Sequence, residues 1–409
     1  MNKKSYLTIY ALEDGLTVSL SDNACEYCIN DDGNWLSLDA GSTTESINAG
    51  QTLLFRGNLT PLGFTGIGTF TISKKCNLEG NCMSMLFGDN AANNYSLSGK
   101  SYAFTKLFYN CTNIVNVSNN FLPATALSSY CYKDMFRGCT GLTTTPTLSA
   151  TTLSKYCYGY MFSGCTGLTT VPALPATTVA QYCYSSMFNG CTGLTTAPTL
   201  PATTLATSCY SYMFYGCTGL TTAPALPATT LESSCYSNMF NGCTALTTAP
   251  TLPATTLATY CYNSMFEDCS KLKYIKMLAT NISATDCMDN WVRWIYSLGI
   301  FVKNPAMTTL KTADYYNDYA GIPNGWIVVN DGEDNIVGPI DTNNYLTIEA
   351  RENGLTASLS TNACEYCVDG DGNWKSLAAG TATESINSGQ TLSFRALLTP
   401  QYSTGIGTF

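Results

Sequence analysis

The sequence predicts an α+β repeat solenoid, with a small all-β N-terminal module and an incomplete second copy of that module at the C-terminus. Three observations support this prediction. The middle of the chain repeats every 26 residues, a second repeat has an offset of 339 residues, and short β-favouring runs lie near both ends. Repeats of about 20 to 50 residues are typical of solenoids, because each unit buries its apolar face only against its neighbours.

Two columns of cysteines mark the 26-residue repeat. The first column is Cys131, Cys157, Cys183, Cys209, Cys235 and Cys261, and the second is Cys139, Cys165, Cys191, Cys217, Cys243 and Cys269. In the segment CYGYMFSGC, which starts at Cys157, apolar or cysteine residues stand at i, i+1, i+4, i+5 and i+8. This spacing predicts a short helical or 3₁₀ turn with one buried face.

The second half of each repeat is predicted to be a short strand and a corner. Leu168, Val171 and Leu174 are three residues apart in LTTVPAL. Pro172 cannot donate a ladder hydrogen bond, so the strand must be short. The threonine pairs, such as Thr169 and Thr170, are expected to line this face.

These patterns divide the chain into four predicted parts. Residues 1–75 form a β-sandwich-like module, 76–270 the solenoid, 271–335 a C-terminal cap, and 336–409 a linker and a partial second β module. The cap is expected to contain a helix near 284–298 and a last strand within 321–329. Residues 6–70 and 345–409 are identical at 46 of 65 positions, and the second copy stops at Phe409. We therefore expect a longer natural polypeptide or a degenerate reading frame.

Composition excludes several functions. The chain carries a net charge of −9, which argues against nucleic acid and anionic membranes as partners. It contains no histidine, the commonest general base and metal ligand. We predict no enzyme and no cofactor. No run of 18 apolar residues exists, so no membrane insertion is expected. The N-terminus lacks the apolar core of a secretory signal.

The constant residues of the repeats, MF-x-GC-T-x-L-TT-x-P-x-LPATTL, resemble the BspA-like leucine-rich repeat family. The resemblance covers about residues 100–330 and implies a leucine-rich-repeat type solenoid. It also implies an extracellular or cell-surface protein that adheres to a host or microbial surface protein or glycan. The alternative is a virion fibre or a receptor-binding structural protein of a phage that infects gut bacteria, and it is motivated by the absence of a visible secretory signal and by the 339-residue repeat, which suits a fibre.

The cysteines and acidic turns allow alternative interpretations. Buried thiols are favoured over disulfides or a metal site for the two columns, because each column repeats once per coil as a core position must. Packing is likewise favoured over redox or zinc chemistry for Cys25-x-x-Cys28 and its copy Cys364-x-x-Cys367. A disulfide between Cys76 and Cys82 is the less favoured alternative there. Asp31, Asp32, Asp369 and Asp371 are interpreted as turn residues rather than Ca²⁺ ligands.

The best indication of a binding site is the set of positions that vary between repeats. They carry mostly Tyr, Ser and Asn, the residues that dominate antibody binding loops, whereas drift at exposed positions would bring in more Lys and Glu. The predicted ligand-binding residues are Tyr160, Ser186, Asn189, Tyr212, Tyr215, Asn238 and Asn241.

Overall fold

The computed structural model describes residues 5–296, 298–313, 320–332, 336–337, 346–351, 353–357, 364–370, 373–378 and 381–395. The first part is a mainly antiparallel sheet of β-favouring segments separated by Gly, Asn and Asp turns. Its strands are β1 (Leu7–Ala11), β2 (Val18–Leu20), β3 (Cys25–Ile29), β4 (Leu36–Leu38), β5 (Thr52–Arg56), β6 (Phe70–Ile72), β7 (Cys76–Gly80) and β8 (Ile114–Val117). Six of them form one open sheet in the order β4-β3-β5-β1-β7-β8, and β2 pairs with β6.

The N-terminal sheet is continuous with the solenoid. Strand β7 pairs antiparallel with β1 and parallel with β8, which belongs to the first coil. Between β7 and β8 lie the helix α1 (Ser84–Phe87) and a 3₁₀ turn (Gly88–Asn93). Two further 3₁₀ turns span Gly63–Thr65 and Asn119–Phe121. A single apolar core therefore runs from the N-terminal sheet through the coils.

Each coil contains an arc of consecutive turns where a helical or 3₁₀ turn was predicted, so that prediction was wrong. We call this segment, residues 182–192 in a middle coil, the turn arc. Alternate amides donate within the coil, as Met187 N does to Tyr184 O (3.2 Å). The intervening amides donate to the next coil, as Tyr184 N does to Cys209 O (3.1 Å). A helix would satisfy the amides beyond its first turn within the coil, and those amides could not join neighbouring coils.

The turn arc depends on left-handed backbone at every fourth residue. In the same coil Tyr182, Ser186 and Gly190 have φ values of 56°, 55° and 72°. Such values are uncommon outside glycine and interrupt helical geometry. Burial recurs every four residues in such an arc, which over nine residues is difficult to distinguish from the 3.6-residue period of a helix.

The constant residues of the repeat form the core, as predicted. In the middle coil Cys183, Tyr184, Met187, Phe188 and Cys191 are each at most 1 % exposed. Like residues stack on like: the rings of Phe162 and Phe188 are 5.8 Å apart at 6°, and those of Phe188 and Phe214 are 5.8 Å apart at 7°. Each coil thus buries its apolar face against the next.

The other half of the coil carries prolines and little regular strand. Isolated parallel bridges, such as Thr196 with Thr222, are found there instead of a ladder. Near the C-terminal end, where the corresponding segments lack proline, true strands form: β9 (Tyr274–Met277), β10 (Ile300–Lys303) and β11 (Ile327–Asn330). They pair in parallel in the order β11-β10-β9, and β11 overlaps the predicted last strand.

The helix predicted near 284–298 is not found in its described residues. Residues 285–294 form another turn arc, with positive φ at Asp286, Asn290 and Trp294. Trp291 is fully buried, and its indole N–H donates to Gly321 O at 2.8 Å. The apolar spacing taken for a helix was that of a degenerate repeat.

The C-terminal copy forms a sheet with the same pairing as the first. Its strands are β12 (Ile336–Val337), β13 (Leu346–Ala350), β14 (Cys364–Val368), β15 (Lys375–Leu377) and β16 (Thr391–Arg395). Their order is β12-β13-β16-β14-β15. Leu346 pairs with Phe394 as Leu7 pairs with Phe55. This sheet shares a core with β10 and β11 through Ile348, Ile300 and Ile327.

Candidate functional site

The outward side chains of the turn arcs form the candidate site. All seven predicted ligand-binding residues lie there, in two columns that run along the stacked coils. One column contains Tyr160, Ser186, Tyr212 and Asn238, and the other contains Asn189, Tyr215 and Asn241. The first column is the second left-handed position of each arc. The second lies three residues further on, so residues from both columns share one face of the solenoid.

Three of the seven residues are buried, which corrects the sequence interpretation of them as surface positions. Ser186 is 2 % exposed, Asn238 9 % and Asn241 6 %. The amide of Asn241 donates to Glu267 Oε2 at 3.0 Å, and the amide of Asn238 donates to Ser237 Oγ at 3.0 Å. These side chains hydrogen-bond within the protein because adjacent coils lie too close together to leave small residues accessible.

The tyrosines of this face are accessible. Tyr212 and Tyr215 are 40 % and 39 % exposed, with ring centroids 5.7 Å apart, and Tyr160 and Asn189 are half-buried. Burial, and then the neighbouring phenols of Tyr215 and Tyr160, raise the pKa of Tyr212. Tyr212 and Tyr215 thus form a ring pair, and Tyr160 lies in the same column two coils away, on the other side of the buried Ser186.

A second tyrosine column was not included in the predicted site. Tyr102, Tyr130, Tyr156 and Tyr182 stack face to face at 4.6, 5.0 and 4.4 Å, and all four are half-buried. Burial and neighbouring phenols raise the pKa of Tyr156 to about 12. The sequence signal was the recurrence of Tyr just before the CY pairs of three successive repeats, 26 residues apart at Tyr130, Tyr156 and Tyr182.

The opposite side of the coils is lined by threonine and proline. Thr169, Thr170, Thr195 and Thr196 are exposed. A shallow, largely apolar groove runs between two coils there, with Ala197, Pro198, Leu200, Pro224 and Pro227 among its lining residues. This face offers hydroxyls and proline rings, without a charged side chain in the groove.

The cysteines are part of the core. All twenty are buried, and no disulfide joins any two of them in the described part of the chain. In the second column each thiol donates to a carbonyl of the preceding coil, as Cys217 does to Phe188 O at 3.1 Å. Burial raises the pKa of Cys209 and Cys217 to about 12, so neither thiol readily becomes a reactive thiolate.

The remaining cysteines singled out in the sequence, in Cys25-x-x-Cys28 and the pair Cys76 and Cys82, are packing residues. Cys25 and Cys28 pack in different apolar clusters, because residues three apart in a strand face opposite ways. Cys76 and Cys82 are both buried, and no disulfide links them.

The acidic turns hydrogen-bond to the backbone. Asp32 accepts from Asn34 N at 2.8 Å, and Asp369 accepts from Thr391 N at 2.7 Å. Asp371 lies outside the described residues. Within the described residues no group of three potential metal ligands converges, and no helix is long and apolar enough to cross a membrane.

The coils, their stacked cores and their 26-residue step define a repeat solenoid. The BspA type leucine-rich repeat region model matches residues 84–221 and 160–288, with six copies. This chain belongs to that family, whose members are typically surface-associated and generally non-enzymatic. Neither the curated proteins nor the solved structures contain a match.

Proposed function

We propose that this chain is a non-enzymatic adhesion protein that binds a surface protein or glycan through the turn-arc face of its solenoid. The main support is the exposed ring pair of Tyr212 and Tyr215 on that face, with the half-buried Tyr160 in the same column. Tyrosine adds rigid contact area that can both pack and hydrogen-bond, at a low cost in side-chain entropy. Such residues are enriched where binding energy is concentrated.

The wider surface also fits recognition better than catalysis. Between Gly138 and Tyr260 the only charged residues are Lys155 and Glu232. A pair of carboxylates, as used for acid–base hydrolysis of glycans, cannot be assembled from this segment.

The test is binding of the purified chain to an array of glycans and surface proteins. We expect Tyr212→Ala/Tyr215→Ala to weaken binding of the captured ligand at least about tenfold, since each lost aromatic anchor costs about 1–2 kcal/mol. The control is Thr169→Ala/Thr170→Ala, which changes two exposed residues on the opposite side of a coil. Equal loss in both variants, or no loss in the tyrosine variant, would contradict the proposed face.

A virion fibre or receptor-binding structural protein is the second candidate. The observation that favours it is the recurrence of one sheet, with the same strand registers, at an offset of 339 residues. Tail or capsid genes beside its coding sequence, and the chain itself in purified particles, would support this role. Its detection on intact bacterial cells without particles would argue against it.

A further inference from the structure

The first coils carry a patch of positive charge that the net charge conceals. Residues 90–231 contain five basic residues and one acidic residue, hence a net charge of +4. The basic residues are Lys100, Lys106, Lys133, Arg137 and Lys155, and the acidic residue is Asp134. At physiological salt the screening length is about 8 Å, so an anion at this patch is affected mainly by the local cations.

Four of these charges are placed against tyrosine rings on the turn arcs. Lys106 Nζ lies 5.9 Å from the Tyr109 ring, and Arg137 Cζ lies 5.9 Å from the same ring. Arg137 also lies 5.2 Å from the Tyr160 ring, where Lys133 Nζ is 5.1 Å away. We call this set, Lys106, Tyr109, Arg137, Tyr160 and Lys133, the cation–tyrosine ladder. Lys155 flanks it, 6.0 Å from the Tyr156 ring.

The one acidic residue positions the ladder and is shielded from solvent. Asp134 is 1 % exposed and forms ion pairs with Lys133 and with Arg137, the latter at 3.1 Å. The single negative charge of Asp134 offsets one of these two cations, so the group of three side chains keeps a net charge of about +1 at the surface. Lys106 and Lys155 have no ion pair in the described part of the chain. Holding Arg137 between two rings reduces the entropy that its guanidinium loses on binding.

The positions of the tyrosine rings favour some polyanions over others and disfavour single-stranded nucleic acid. Single-stranded nucleic acid binds through bases stacked on open ring faces. Here cations occupy faces of Tyr109 and Tyr160, and Tyr102, Tyr130, Tyr156 and Tyr182 cover one another. In each of these coils, the column of stacked tyrosines presents a ring edge and a hydroxyl to a ligand. That step is comparable with the length of one sugar ring along a polysaccharide chain.

From these contacts we propose that the cation–tyrosine ladder, with Lys155, binds a sulfated glycan lying along the first coils. Arg137 takes a sulfate group in a bidentate contact, the lysines neutralise neighbouring sulfates, and the phenol hydroxyls hydrogen-bond to sugar hydroxyls. This inference rests on the proposed function and names the ligand class for one end of the turn-arc face.

The experiment measures binding of the full chain to dextran sulfate and to unsulfated dextran. We expect binding to dextran sulfate only, weakening as NaCl rises from about 50 to 500 mM. Lys106→Gln/Lys155→Gln should weaken it at least about fivefold and leave the ion pairs of Asp134 intact. The matched control, Lys74→Gln/Lys271→Gln, removes two charges outside the ladder and should bind like the parent chain.

Several results would overturn the inference. Binding to polyglutamate or to a single-stranded DNA oligonucleotide as tight as that to dextran sulfate would show unspecific charge attraction. Equal loss in the two lysine variants would place the contact elsewhere. If the chain does not bind dextran sulfate, and Tyr212→Ala/Tyr215→Ala still weakens binding of the ligand found on the array, this inference fails and the proposed function stands.

Discussion

The two sides of one coil are held in different ways. On the turn arc every backbone N–H from Tyr182 to Thr192 donates a hydrogen bond, about half of them to the next coil. On the proline side, from Ala197 to Ala202, no backbone N–H donates a hydrogen bond to another described residue, and two of the six residues are prolines. The difference indicates that the arcs hold the stack together, whereas in a solenoid with a continuous strand ladder the strands would do so.

The largest expected effect is alkaline unfolding, because the buried thiols lie in the turn arcs. Burial in the folded chain raises the pKa of Cys157, Cys165, Cys209 and Cys217 to about 12, whereas an unfolded thiol has a pKa of about 8.5. Their stabilising contribution is complete below about pH 8.5 and is lost as pH rises toward 12, by about 1.4 kcal/mol per thiol and pH unit. Four thiols together approach the whole stability of a typical domain.

Urea unfolding in reductant, followed by circular dichroism from pH 7 to 10.5, would measure this loss. We expect the midpoint to fall steeply above about pH 9. A midpoint that stays constant to pH 10.5 would mean that the thiols are not buried as described.

The next effect concerns the stacked phenylalanine column of the arcs. Phe188→Ala should lower the free energy of unfolding by about 3–5 kcal/mol, since a cavity opens between Phe162 and Phe214. The control is Thr199→Ala, at an exposed position on the proline side of the same repeat, which should cost under about 0.5 kcal/mol. Denaturant titration of both variants measures the contrast, and similar costs would remove the distinction between the two sides.

Hydrogen exchange examines the comparison most directly. The amides of Tyr184, Ser186 and Phe188 should exchange at least about 100-fold more slowly than those of Thr199 and Leu200, because only the former donate to the next coil. Mass spectrometry with overlapping peptides resolves the two segments. Equal protection on both sides would assign the stacking to packing alone rather than to the hydrogen bonds of the arc.

The smallest expected effect is a difference in stability between serine variants of the two cysteine columns. Cys217→Ser retains a donor for Phe188 O, so its cost should stay under about 1 kcal/mol. The Cys209 sulfur makes no hydrogen bond to another described residue, so Cys209→Ser buries a hydroxyl without a partner and should cost about 1–3 kcal/mol. Thermal unfolding of the two variants in parallel measures the difference. The reverse order would show that the thiol contacts contribute nothing.

The sequence was sufficient to predict the columns but not the geometry of the arc. The 26-residue step identified Tyr184 and Phe188 as inward-facing, and Pro198 as a position that interrupts a strand, because those conclusions need only the repeat. The left-handed backbone at Tyr182 and Ser186 has no comparable signature in residue type. Glycine stands at the third such position, Gly190, and that was the one available indication.

The sequence also could not predict that part of the proposed binding site is buried. Ser186 and Tyr212 occupy one column, yet the first is buried and the second exposed. The outcome depends on side-chain length relative to the gap between coils: a serine is covered by tyrosines on both sides, and a tyrosine extends past its neighbours. A repeat alignment identifies the outward columns, but not which members of a column reach solvent.

The hydrogen bond from residue i to the carbonyl of residue i+25, seen at Tyr184 and Cys209, makes neighbouring coils interchangeable. A whole 26-residue unit can be gained or lost by recombination within the gene, and the flanking coils then meet the same donors and acceptors. The protein can thus change its reach in steps of one coil, near the 5.8 Å that separates Phe188 from Phe214. Each gain would also add one more set of outward side chains on which selection can act.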